Sequence, residues 1–159
     1  MINVTLPNGD VKTYNSATTP MDVARSISEG FARNVISAKY NDDIIETSTQ
    51  LHDDGALVLY TWKDDEGKKA FWHSSAHILA QALEDLYPGI KLSIGPAIEN
   101  GFYYDIDAGE HNISEKDLPA IEKKMTEIAR GKHVFNMREV SKEDALDFYK
   151  SQNNEYKLE

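Results

Sequence analysis

Residues 2–24 read INVTLPNGDVKTYNSATTPMDVA, and this stretch decides the fold of the first part of the chain. Ile2–Leu6 alternates and is rich in β-branched residues, which suits a half-buried strand. Pro7-Asn8-Gly9-Asp10 carries an Asn-Gly turn signal, and Val11–Tyr14 reads as the returning strand, so residues 2–14 predict a hairpin. The texture then changes. Thr19 suits an N-cap, Pro20 suits the first helical position, and Asp22 stands where it can reach back to the cap. Val23, Ala24 and Ile27 share one apolar face, and Gly30 reads as the stop.

Working outward, strand-like runs follow at Val35–Tyr40, Ile44–Ile45 and Leu57–Trp62, punctuated by Asn41-Asp42-Asp43 and Asp53-Asp54-Gly55. The order β-β-α-β-β-β within about sixty residues predicts a small mixed sheet wrapped on one helix, as in a β-grasp fold. Lys63–Lys69 (KDDEGKK) is a charged break and reads as a domain boundary. Beyond it, residues 70–87 read as a helix closed by Pro88-Gly89. Ile90–Ile98 and Phe102–Ile106 read as a hairpin around Glu99-Asn100-Gly101. Ser114-Glu115-Lys116-Asp117 signals the start of a second helix, with Leu118, Ile121, Met125 and Ile128 on one face and Gly131 at its end. His133–Val140 reads as a strand, and Ser141-Lys142-Glu143-Asp144 opens a third, short helix. The fold class predicted is α+β, with a first domain over 1–62 and a second over 63–159.

Composition narrows the function. The 159 residues are 40% hydrophobic, enough for a packed core, and no apolar run nears the ~20 residues of a membrane helix. MINVTLPNGD lacks the basic start and apolar stretch of a secretory signal. With no cysteine, disulfide scaffolds, Cys-type zinc sites, iron–sulfur clusters and thiol nucleophiles are excluded within these residues. These features predict a cytoplasmic chain with no membrane partner. The net charge is −10, and residues 1–62 already set four Lys/Arg against eight Asp/Glu. Charge alone therefore disfavours dominant electrostatic binding to nucleic acid. There is also no Gly-rich phosphate loop and no G-x-S-x-G elbow.

The chemistry-bearing feature is His73-Ser-Ser-Ala-His77. At helical spacing the two histidines share one face, about 6 Å apart along the axis. They border the apolar stripe of Ala76, Leu79, Ala80, Leu83 and Tyr87. Such a pair can divide acid–base work or chelate a metal; the bland alternative is a half-buried surface pair. Ser74 stands where a zincin carries Glu, and Glu84 lies about 10 Å further along the axis than His77. The aromatic run Phe102-Tyr103-Tyr104 reads most simply as core, with stacking on a base or ribose as the functional alternative. Lys157, taken by itself, reads as a solvated surface group.

Six segments in order resemble the N-terminal region of bacterial-type threonyl-tRNA synthetases. They are INVTLPNGD, TPMDVA, KDDEG, HSSAHILAQAL, IGPAIENGFYYDID and NNEYKL. The resemblance implies that residues 1–62 are a TGS domain of β-grasp fold. It implies that 63–159 begin the editing domain, which in the family hydrolyses serine wrongly esterified to tRNA(Thr). A synthetic site that accepts threonine cannot strongly reject serine, because one methyl is worth only ~1–3 kcal/mol. By resemblance His73, His77 and Lys157 belong to the catalytic pocket and Tyr104 to the substrate-binding wall, facing the acceptor end of tRNA(Thr). The family completes this pocket with a later C-x-x-x-H segment absent here. Ligation, with its ATP, magnesium and one zinc, belongs to a class II domain also absent here. The fragment is therefore expected to be a monomer of a homodimeric enzyme, without a cofactor or tight metal site of its own. It is expected not to ligate, and to edit weakly or not at all. Three alternatives stay open: a free-standing factor editing in trans, a metal-dependent hydrolase using His73, His77 and a third ligand from His111 or His133, and a binding module in which the β-grasp half is a ligand or protein-interaction domain and the second half its structural companion.

Overall fold

Thr19 starts the first helix as its sequence demands. In the computed structural model, which describes residues 1–135 and 138–158, Asp22 N–H donates to Thr19 Oγ1 (3.1 Å) and Thr19 N–H donates back to Asp22 Oδ2 (3.1 Å). This reciprocal cap satisfies two backbone donors that helix geometry leaves unpaired. It opens α1 (Pro20–Ile27). Gly30 does not end this helix, contrary to the sequence reading. Ser28 does, by adopting extended backbone and accepting from Phe31 N–H (3.0 Å), which starts a four-residue helix α2 (Glu29–Ala32) with Gly30 inside it. A serine side chain that bonds local backbone competes with helix continuation, and here it ends one helix while capping the next.

The strands β1 (Ile2–Thr5), β2 (Val11–Tyr14), β3 (Val35–Tyr40), β4 (Asp43–Ile45) and β5 (Gly55–Thr61) form one sheet in the order β2-β1-β5-β3-β4. The β1–β5 pair is parallel, and every other pair is antiparallel. Ile2 and Val4 alternate inward from β1 and meet Val23 of α1, Ala38, Leu51 and Leu57 in one core, as period-two strands against an amphipathic helix require. This is the β-β-α-β-β-β arrangement predicted, with α2 added.

The charged segment after β5 is not a linker. Asp64 Oδ2 accepts from Thr61 N–H (2.7 Å) and from Thr61 Oγ1 (3.0 Å), and Lys68 N–H donates to the Asp64 carbonyl (3.0 Å). These bonds hold the Asp64 carboxyl below its ordinary pKa, the backbone bond from Thr61 contributing most. Helix α3 then runs from Asp65 to Leu86, so residues 65–69 are its first turns. Acidic residues complement the positive end of a helix, which explains why a run rich in Asp and Glu starts one. Gly67 is required there: a Cβ would stand 2.0 Å from the Thr61 carbonyl oxygen. The chain forms two compact units, Met1–Phe71 and Trp72–Glu159. The first unit thus extends past the boundary expected at Lys63.

In the second unit, the hairpin predicted between 90 and 106 is present but broken into two short ladders. β6 (Lys91–Leu92) pairs with β9 (Ile106–Asp107), and β7 (Ala97–Ile98) pairs with β8 (Gly101–Phe102). Between them, Ser93 N–H donates to the Asp105 carbonyl and Asp105 N–H to that of Ile94. Asp117 accepts from Ser114 N–H (2.8 Å) before helix α4 (Leu118–Arg130), and Ser141 caps α5 (Lys142–Ser151). The core here is Ala80 and Leu83 of α3, Ile90, Leu92 and Ile121 of α4, with Leu79, Tyr87, Tyr104, Ile113 and Met125 packed around it. The strand expected at His133–Val140 does not form among its described residues, while Asn136 and Met137 lie outside them. Lys132, at φ 51°, turns the chain out of α4, and Val134 and Phe135 are left exposed. Among the described residues, no helix is long and apolar enough to cross a membrane.

Candidate functional site

Helical spacing brings His73 and His77 together as expected: their Nε2 atoms are 3.0 Å apart and their rings meet edge to face at 4.6 Å between centroids. At that distance one nitrogen donates and the other accepts, the direction being set by the two tautomers. His77 titrates below its ordinary value. Partial burial is the main cause, followed by the neighbouring charges of His73 and Lys157. Neutral imidazole is therefore the resting form of His77 at neutral pH.

The histidines form one wall of a cleft of about 370 Å³. Ala76 of α3 lines it between them, and Ile94, Gly95 and Pro96 line it from the hairpin. Tyr104 and Lys157 complete it. The four residues singled out in the sequence, His73, His77, Tyr104 and Lys157, thus border one space. Tyr104 lies in the irregular segment between β8 and β9, so its direction is set by packing and not by strand alternation. Burial raises its phenol pKa, with the charge of Glu84 adding to the effect, so it remains a neutral hydroxyl. Lys157 is not the free surface lysine of the sequence reading. It is partly buried, with Nζ 6.0 Å from the Tyr104 ring centroid, at the outer reach of a cation–π contact.

Sequence reasoning missed Gly95. Its Cα faces the Tyr104 ring so closely that a Cβ would fall 2.3 Å from Cδ2 and Cε2. The signal was present: a glycine inside an apolar strand-like run marks close approach of another group.

His111 and His133 were the candidate third ligands for a metal. His111 Nε2 lies 2.9 Å from the Pro88 carbonyl oxygen, to which it donates. His133 lines a second groove of about 290 Å³ on the other side of His77, with Lys132, Val134 and Phe135. Among the described residues, no three His, Asp or Glu side chains converge as a metal site would need.

The turn that carries Lys157 is itself anchored. Lys91 Nζ pairs with Glu155 Oε1 at 3.0 Å, the Tyr156 hydroxyl donates to Asp107 Oδ2 at 3.0 Å, and Asn154 Nδ2 donates to the Leu92 carbonyl at 3.0 Å. The Gly109 N–H and then the Tyr156 hydroxyl hold the Asp107 carboxyl below its ordinary pKa.

Residues 2–61 match the family model described as TGS domain. Over 159 residues the chain is 58% identical to a threonine–tRNA ligase of Flavobacterium psychrophilum and 60% identical to one of Flavobacterium johnsoniae, covering all of this chain and 24% of each relative. A threonine–tRNA ligase of Bacteroides fragilis is 47% identical over 159 residues. The chain spans about a quarter of the length of these curated relatives. The similarity continues beyond the TGS domain through the histidine helix and the hairpin to Lys157.

Proposed function

We propose that this chain, an α+β counterpart of the N-terminal quarter of threonine–tRNA ligases with a TGS domain at its start, contributes a hydrolytic editing pocket to such a ligase. The whole enzyme attaches threonine to tRNA(Thr) with ATP. That step, with its magnesium and zinc, belongs to parts of the relatives outside these residues. The pocket removes serine attached in error. The supporting observation is the convergence of His73, His77, Tyr104 and Lys157 on one cleft in a chain similar to these ligases throughout.

The reaction is ester hydrolysis. Water oxygen bonds to the seryl carbonyl carbon, the bond from that carbon to the ribose oxygen breaks, and the ribose oxygen takes up a proton. His73 and Lys157 orient the water and the ribose hydroxyl. His77, neutral at pH 7, holds the seryl group or the water network. Tyr104 offers a ring face and a protonated hydroxyl to the terminal adenosine. No single general base is required, because an ester beside a vicinal hydroxyl needs chiefly an oriented water, and orientation supplies large rate factors. The acidic chain does not supply the bulk of tRNA affinity; it receives the acceptor end, while phosphate contacts lie elsewhere in the enzyme.

Deacylation of seryl- and threonyl-tRNA(Thr) by the full-length protein, with and without His77→Ala, tests this. Serine-selective hydrolysis that the variant loses, at unchanged tRNA binding, is the expected result. Equal hydrolysis by both proteins removes the histidine helix from the reaction.

A further inference from the structure

The sequence Asn153-Asn154-Glu155-Tyr156-Lys157 gives each of its first four residues a separate contact or conformation. Asn153 takes φ 52°, the left-handed conformation that asparagine tolerates better than most residues, and turns the chain back after α5. Asn154 bonds the Leu92 carbonyl, Glu155 pairs with Lys91, and Tyr156 bonds Asp107. Lys91 and Asp107 are not independent anchors. They are directly opposed residues of the β6–β9 ladder, so one cross-strand pair engages two successive residues of the Glu155–Lys157 turn. Both bonds are reciprocal in chemistry: a cation takes the carboxylate, and a carboxylate takes the hydroxyl.

From this geometry we propose that the Lys91–Asp107 pair is a latch whose task is to hold Lys157 at the cleft, making Asp107, Glu155 and Tyr156 positioning residues for the editing reaction. This rests on the reading that Lys157 works in that cleft. The reasoning is one of reach. A lysine carries its charge on four flexible carbons, and a lysine near the end of a short turn holds no fixed place unless the backbone below it is tied down. Three side-chain contacts spanning 49 to 64 residues tie it down here, and none of them touches the cleft.

Two readouts separate the latch from the reading it rests on. The first uses the 159-residue chain and no substrate. His77 titration is followed by NMR on labelled histidine. The groups facing His77 are His73 on its own helix, Lys157 and Tyr104 across the cleft, and Lys132 and His133 on its other side. Lys157→Met moves the His77 midpoint upward, because a nearby positive charge is gone. Glu155→Gln with Tyr156→Phe reproduces most of that shift, as does Asn153→Val, whereas Asn153→Gly, which keeps the turn, leaves the midpoint in place. A double variant that titrates like the unmodified chain, beside a shifted Lys157→Met, overturns the latch. So does a Lys157→Met protein with no shift, because the lysine is then not held beside His77. The second readout is seryl-tRNA deacylation by the full-length protein. The double variant loses kcat by about ten- to a hundredfold at unchanged KM, the range a small misplacement produces. Loss with Lys157→Met but not with the double variant overturns the latch alone; no loss with Lys157→Met overturns the reading beneath it.

Discussion

The two units are built on different economies of contact. In the first, a seven-residue apolar core sits between one sheet and one helix, with Val4, Val23 and Leu57 essentially sealed from water. In the second, the strands are two residues long, and Ile94, Ile98, Tyr103, Val134 and Phe135 remain substantially exposed. The first is stabilised by its own burial, and its signals are local. The second carries the cleft on irregular segments, each fixed by a few long-range bonds. Binding and catalytic groups concentrate on such segments when a scaffold holds them. The lesson is that the part most legible in sequence is the part whose signals are local, while the cleft lies in the other.

That contrast can be broken by experiment. Leu57→Ala removes a fully buried side chain from the sheet core and is expected to cost about 2–5 kcal/mol in urea unfolding, whereas Ile98→Ala, at an exposed position, stays within about 0.5 kcal/mol. Equal effects would mean that the second unit buries more than its surface shows. Gly67→Ala drives a methyl onto the Thr61 carbonyl and is expected to cost about 1–3 kcal/mol, in the range of overpacking. A neutral result would return Lys63–Lys69 to the status of a loose linker. Thr19→Ala removes the reciprocal cap of α1, with an expected loss of about 0.5–2 kcal/mol in the same assay. The smallest effect is expected at His77. Its folded pKa lies below the unfolded value of about 6.5, so the unfolded chain binds more protons between the two. Its contribution is complete above pH ~6.5 and is lost as pH falls through that window toward the folded pKa. Replacing His77 with Ala should flatten the pH dependence of stability there; an unchanged slope would assign it to other groups.

Why some elements were legible and others were not follows from sequence distance. Thr19, Pro20 and Asp22 are within three residues of one another, so the α1 cap could be read directly. The identity of β1 to β5 followed from alternation and turn residues. The start of α3 was misread because Asp64 looks solvated until Thr61, at the end of β5, is seen donating to it. Gly30 was misread because Ser28 acts first. A strand was expected over 133–140 from its apolar residues, yet the described residues of that stretch have no neighbouring edge to pair with. The candidate site was half legible. His73 and His77 share a helix face at fixed spacing, but Lys157 acquires its place from Leu92, Lys91 and Asp107, more than forty residues away. Its assignment to the pocket came from family resemblance and not from local pattern.

The 3.0 Å contact between the two histidine Nε2 atoms means that one wall of the cleft is already engaged with itself. One ring spends its Nε2 proton on the other, and the other spends its lone pair, so neither nitrogen faces an incoming molecule unengaged. On the Nε2 side, a hydrogen-bonding group entering the cleft competes with a neighbouring imidazole.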